Sequence, residues 1–203
     1  MASWNRLASL SSSVVHATSQ ALVAVPCGHL GVVHVYHATD RQLLLSYGGH
    51  TAPVESLAFS PNQARPRLAS SSLDRTVQIW NPYTGALLAC CYHDTTFAKM
   101  VCWSPDAAHL VTGGADGIVR VWDAETGQCL SSYQHSCGRV CDIAWFPDDR
   151  VLSSTDSGEV LAGWWTPGWG VCSLGALRGP SLSPALLTQR EAITQSLLSA
   201  SCA

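Results

Sequence analysis

The sequence predicts an all-β chain made of about four repeats of a four-stranded antiparallel sheet, followed by a short C-terminal helix. Three observations lead there: markers that recur about every 42 residues, short strand-like runs between turn signals, and a composition suited to a packed core. Of 203 residues, 47% are apolar and only 12% are charged, about half the usual charged share. A chain of this length can bury a sizeable core as one domain or two small ones.

The recurrence is plain around "GGADGIVRVWD" at 113–123. Trp80, Trp122 and Trp164 stand 42 residues apart, Thr84-Gly85 returns as Thr126-Gly127, and Asp74 returns as Asp116. His50, His93 and His135 follow at intervals of 43 and 42, and "LAFSP" (57–61), "VCWSP" (101–105) and "IAWFP" (143–147) keep step. A catalytic constellation is normally built once, whereas a structural unit must recur. The small mismatch has a local cause, since Pro61 reaches Leu68 in seven positions where Pro105 reaches Leu110 in five. Such an insertion suits a surface turn.

Each repeat reads as four strands. "VESLAFS" (54–60), "RLASSS" (67–72), "TVQIW" (76–80) and "ALLACCY" (86–92) are apolar or β-branched runs separated by Ser-Pro, Asp-Arg and Thr-Gly turn signals. In the next repeat Gly113 and Gly114 end the second strand, and Asp116-Gly117 makes a tight turn in which glycine takes positive φ without a Cβ clash. A four-stranded repeat of about 40 to 45 residues with a Trp-Asp pair points to a propeller blade.

Upstream, "ALVAVPCGHLGVVHVYHATDRQLLLSY" (21–47) supplies strands two to four of an earlier blade, with Tyr36 in the tryptophan position, and "SSVVHAT" (12–18) its first strand. Downstream, a fourth unit keeps His135, "IAWFPDD" and Trp164 but has Trp165 where aspartate is expected and Gly158 in the place of the turn aspartate. "TPGWGVCSL" (166–174) offers an outer strand. The expected organisation is an extension at 1–9, blades at 10–49, 50–92, 93–134 and 135–175, and a tail at 176–203. In that tail Ser183 can cap a helix, Pro184 suits its first turn, and Leu186, Arg190, Ile193 and Leu197 share one face.

These residues resemble the WD-repeat family, whose blades carry a histidine before the first strand and a Trp-Asp pair closing the third. The match is strongest over 50–134, where "GGH" (48–50), "IWN" (79–81) and "VWD" (121–123) stand at family spacing. The resemblance implies a β-propeller of four-stranded blades. Family propellers usually hold seven, so about four imperfect blades imply an incomplete or open propeller. An open arc leaves strand edges and inter-blade apolar surface unpaired, which favours self-association or membership of a larger propeller.

Three residue sets follow the repeat: His50, Ser70, Asp74 and Trp80; His93, Thr112, Asp116 and Trp122; His135, Ser154 and Trp164. Serine, histidine and aspartate together invite a hydrolase reading, and repetition argues against it. The resemblance implies instead a buried hydrogen-bond chain linking the strands of each blade, where an unsatisfied polar group costs about 1 to 3 kcal/mol. The third set lacks a well-placed aspartate, which predicts a looser blade. The resemblance also places partner-binding residues at Pro53, Phe97 and Arg139, two residues before Glu55, Lys99 and Cys141, with Leu73 and Ala115 beside them. Phe97 and Arg139 are of types enriched among binding hot spots; the alternative is that Phe97 packs under its own loop and Arg139 is merely solvated. Glu55 and Lys99 are alternatively a surface ion pair.

Composition closes several other classes. A net charge of -3 with a single lysine, Lys99, leaves no basic stripe for direct nucleic-acid binding. No run of about 18 apolar residues offers a membrane span. No helix or P-loop lysine follows Gly113-Gly114, so a phosphate loop is not expected. Nine cysteines, an odd count without a C-x-x-C pair, read as reduced structural thiols rather than zinc ligands or a disulfide framework. They favour the cytoplasm or nucleus. Residues 1–39 lack acids and are serine-rich, but Arg6 is their only arginine, a poor match to a transit peptide. The expected function is a non-enzymatic scaffold that binds a protein or peptide through its loop face, with no cofactor or metal. The alternatives are a Cys- or Ser-dependent hydrolase and a truncated product of a longer WD-repeat protein with no independent activity.

Overall fold

A computed structural model of the chain describes residues 17–19, 21–28, 31–166 and 170–178. Its strands form four antiparallel meanders. The first sheet holds β1 (Ala17–Thr18), β2 (Leu22–Cys27), β3 (Val32–His37) and β4 (Leu43–Tyr47). The second holds β5 (Val54–Phe59), β6 (Leu68–Ser72), β7 (Thr76–Trp80) and β8 (Leu87–Tyr92). The third holds β9 (Ala98–Trp103), β10 (His109–Gly114), β11 (Ile118–Asp123) and β12 (Cys129–Gln134). The fourth holds β13 (Val140–Trp145), β14 (Arg150–Thr155), β15 (Glu159–Thr166) and β16 (Gly170–Arg178). The expected extension at 1–9 and the helix around Ser183–Leu197 lie outside the described residues.

Alternation along the strands gives each sheet two unlike faces. One face, directed at the following sheet, is small and branched: Ala24, Val33 and Val35 in the first sheet, Ala69, Val77 and Ile79 in the second, Val111, Val119 and Val121 in the third, all fully buried. The other face, directed at the preceding sheet, carries the histidine and tryptophan positions: Leu68 and Trp80 in the second sheet, Leu110 and Trp122 in the third, Val151 and Trp165 in the fourth. Three apolar clusters result, one at each joint between consecutive sheets. Each fully buried Val or Ile side chain contributes about 1.5 to 3 kcal/mol.

Polar and aromatic contacts pin the joints. Tyr47 stacks on Trp80 at 4.1 Å and 9°, and its hydroxyl donates to Gln78 Oε1 at 2.7 Å. Burial first, then nearby Cys90 and Asp74, push the Tyr47 phenol up to about 12, so it stays a donor. Across the next joint, the Arg67 guanidinium lies 4.8 Å over the Trp103 ring, donates to the Ala107 carbonyl and pairs with Glu125 at 3.2 Å. At the last joint His109 occupies the same strand position and packs against Trp145 and Trp165 at 6.1 and 5.4 Å between ring centroids. A Cβ on Gly113 would collide with Val140 and Ile143 of the fourth sheet, so this glycine permits close approach of sheets as well as ending a strand.

The first strands β1, β5, β9 and β13 pack in succession, and among the described residues no comparable packing joins the first sheet to the fourth. The four sheets form an arc, not a closed ring.

Candidate interaction face

In the second sheet, Asp74, His50, Ser70 and Trp80 form one continuous chain. His50 Nδ1 donates to Asp74 Oδ2 at 2.8 Å, Ser70 Oγ pairs with His50 Nε2 at 2.8 Å, and Trp80 Nε1 donates to Ser70 Oγ at 3.0 Å. Asp74 also accepts from the Thr51 and Thr76 amides and the Thr76 hydroxyl. Burial alone would raise its carboxyl, but these bonds together hold it below the usual carboxylate range. The order Asp-His-Ser matches that of a hydrolytic relay. Ser70 is fully buried and His50 is 4% exposed, so no substrate can reach the hydroxyl.

The third sheet departs from this pattern at the aspartate. Thr112 Oγ1 pairs with His93 Nε2 at 3.2 Å and accepts from Trp122 Nε1 at 2.8 Å. Asp116 does not bond His93: it is taken by Arg120 Nη2 at 2.9 Å and by the Thr95 hydroxyl at 2.8 Å. Arg120 Nη1 instead points at His93 Nδ1 from 3.5 Å. Because a guanidinium only donates, Nδ1 must be the lone-pair nitrogen, the reverse of the tautomer at His50. Burial, then the Arg120 charge, depress His93 to about 4.

In the fourth sheet Ser154 and Trp164 are not the partners of His135. His135 Nε2 pairs with Ser153 Oγ at 2.8 Å, and Nδ1 faces Glu159 Oε2 at 3.3 Å. Glu159 supplies His135 with the carboxylate that Asp74 gives His50 and also accepts from the Ser136 amide and hydroxyl, each at 2.8 Å. These bonds overcome desolvation and keep its carboxyl low. Val151 pairs with Gly163, so Gly163 occupies the register held by Trp80 and Trp122 opposite Leu68 and Leu110. Trp165 is buried and its indole nitrogen has no acceptor, whereas Trp164 is 42% exposed on the opposite face.

The cause is one residue. Pro147 reaches Val151 in four positions, one fewer than Pro105 to Leu110, and a one-residue slip exchanges the two faces of a strand. The signal was present in the proline spacing.

At one end of the arc the loops converge in pairs. The Leu73 amide donates to Pro53 O at 3.0 Å, Ala115 to Phe97 O at 3.3 Å and Asp156 to Arg139 O at 3.0 Å. Leu73 and Arg139 are exposed and Pro53, Phe97 and Ala115 partly so. Asp156, whose carboxylate also accepts from the Arg139 amide at 2.8 Å, is the fourth-sheet counterpart of Leu73 and Ala115, missed because the turn there carries no aspartate at the repeat position.

Glu55, Lys99 and Cys141 share a backbone feature. The register of β5 shifts between Val54 and Ser56, that of β9 between Ala98 and Met100, and that of β13 between Val140 and Asp142. Each of the three is the extra residue of a β-bulge, a device that re-aims a side chain. No ion pair joins Glu55 to Lys99 among the described residues.

A family model for the WD domain, G-beta repeat, matches residues 41–81, 93–123 and 127–161. The chain belongs to this family. Among its WD-repeat relatives, the APC/C activator protein CDH1 of Saccharomyces cerevisiae is 34% identical over 87 residues, covering 42% of this chain and 15% of that protein. The small ribosomal subunit protein RACK1y of Oryza sativa subsp. japonica is 35% identical over 66 residues, 32% of this chain and 20% of its own. The WD-repeat chain thus spans a fifth or less of these relatives.

Solved structures agree on the fold. A chain in the crystal structure of the mitotic checkpoint complex superposes with a TM-score of 0.71 at 20% identity, over 81% of this chain and 51% of that one. The computationally designed Ika4 protein gives 0.65 at 27% identity, over 76% of this chain and 92% of its own. The designed Ika8 protein gives 0.68 at 25% identity, over 82% of this chain and 49% of its own.

Proposed function

We propose that this WD-repeat chain is a non-enzymatic scaffold that binds a protein or peptide segment across the loop end of the arc. The observation that carries the reading is the repeated bulge: three neighbouring first strands present a carboxylate, an ammonium and a thiol at equivalent positions, Glu55, Lys99 and Cys141. Beside them Phe97 and Arg139 offer an aromatic and a guanidinium anchor. The names of the relatives, an APC/C activator and a ribosomal-subunit protein, accord with a role in assemblies. The free thiols of Cys27, Cys129 and Cys137 at the surface suit a reducing compartment, so the cytoplasm or nucleus is the proposed location.

The test is selection from a displayed peptide library on the full chain and on a Phe97→Ala, Arg139→Ala variant of unchanged circular dichroism. A common motif enriched by the parent and lost by the variant supports the face. Identical enrichment by both removes it. Labelling of Ser70 by a serine-directed activity probe would instead favour hydrolysis.

A further inference from the structure

We infer that two copies of this chain associate head to tail and close into one ring of eight sheets. Every joint inside the arc pairs the branched face of one sheet with the tryptophan-side face of the next. Among the described residues, each end of the arc presents one of these faces without its counterpart.

On the fourth sheet, Ala144 pairs with Leu152 and Leu152 with Ala162, and with Val160 these residues hold the register of Ala69, Val77 and Ile79. Those three are fully buried, whereas Leu152, Val160 and Ala162 are all partly exposed and Trp164 beside them is 42% exposed. On the first sheet, Val23 pairs with Tyr36 and Val25 with His34, in the register of Leu68 with Trp80 and Ser70 with Gln78. Leu68, Ser70 and Trp80 are fully buried, while Val23, Val25 and Tyr36 are partly exposed.

The two open faces are complementary in kind. Val25 stands where the buried hydroxyl of Ser70 stands and Val23 where Leu68 stands, while His34 on the same face bonds Ser46 Oγ within its own sheet at 2.8 Å, so this end calls mainly for apolar surface. A second copy offers that surface at its fourth sheet, and its own first sheet returns to the fourth sheet of the first copy. Such heterologous contacts give a ring when the rotation closes and a filament when it does not. The arc superposes on about half of two larger chains, 51% of one and 49% of the other, so the remainder in each is of the size that a second copy supplies. Eight sheets lie within the range of known propellers, about four to eight.

The test is the mass of the full chain by light scattering and sedimentation equilibrium over a dilution series, with two variants that place charges on the open faces, Val25→Lys and Ala162→Glu. The parent should give twice 21.6 kDa. Each variant alone, with unchanged circular dichroism, should give a monomer, since both joints contain the charge. An equimolar mixture should regain the dimer, because one joint is then unmodified and the other holds lysine against glutamate. A parent that stays monomeric, one that grows into open-ended polymers, or a dimer indifferent to both substitutions would overturn the inference.

Discussion

Arg120 Nη2 lies 2.9 Å from Asp116 Oδ2 and takes the carboxylate that Asp74 gives to His50 in the preceding sheet. The residue pairing with Ser70 there is Gln78, and the residue pairing with Thr112 is Arg120. One side-chain exchange therefore reverses the tautomer of a buried histidine and sets a guanidinium beside it.

This has a pH signature. The unfolded chain protonates His93 near its ordinary value of about 6.5, whereas the folded chain resists until about 4. The unfolded state binds more protons between these limits, so stability is fully present above the upper one and is lost as pH falls toward the lower. Burial is the larger cause and Arg120 the second. The stability obtained from urea unfolding should fall between about pH 7 and about pH 4.5, by as much as about 3 kcal/mol. Arg120→Gln, which restores the residue type of the second sheet, should raise the His93 titration seen by NMR. An unmoved titration would show that the guanidinium does not act on the ring.

Ser153 and Ser154 separate two registers of the fourth sheet. Ser153→Ala strands both the His135 ring nitrogen and the Tyr133 hydroxyl, which lies 3.0 Å from Ser153 Oγ, and should cost about 1 to 3 kcal/mol for each group left unpaired. Ser154→Ala, on the partly exposed face, should stay within about 0.5 kcal/mol. Equal losses in chemical denaturation would contradict the register.

Arg67 and Glu125 form an ion pair whose two halves differ in worth. Removing Glu125, with a side chain 76% exposed, should cost under about 1 kcal/mol. Arg67→Ala also loses the Trp103 face and the bond to the Ala107 carbonyl, and should cost about 2 kcal/mol or more. Thermal unfolding of the two variants side by side decides this, and a larger effect at Glu125 would be the wrong order.

Tyr47→Phe keeps the ring stacked on Trp80 but leaves the Gln78 oxygen without its donor. A loss of about 1 to 3 kcal/mol is expected. Tyr47→Ala, which also empties the space beside Trp80, should lose about 3 to 5 kcal/mol. If the two variants unfold together, the hydroxyl and not the ring holds the first joint.

The strands and their grouping in fours were legible because alternation and turn residues act over a few positions, and because the unit is repeated. The strand at Gly170–Arg178, for instance, continues past the end of the readable repeat, yet "TPGWGVCSL" marks its beginning. Errors arose where counting replaced pairing. Trp164 keeps the interval of 42, but the shortened β13–β14 turn moves Gly163 into its register and turns Trp164 outward. The aspartate absent from the repeat position of the fourth sheet is made good by Glu159, the first residue after the turn, from where its longer side chain reaches His135.

By itself the sequence determined the unit: four short strands, the residues that recur with them, and the alternation that gives each sheet two faces. These are local or periodic properties, set by sterics, turn chemistry and burial. Only the tertiary structure decided which donor meets which acceptor, that Arg120 captures Asp116, that the bulges coincide at Glu55, Lys99 and Cys141, and that among the described residues the ends of the arc do not meet. Those outcomes depend on distances of about 3 Å between residues far apart in the chain, where a one-residue slip changes the partner.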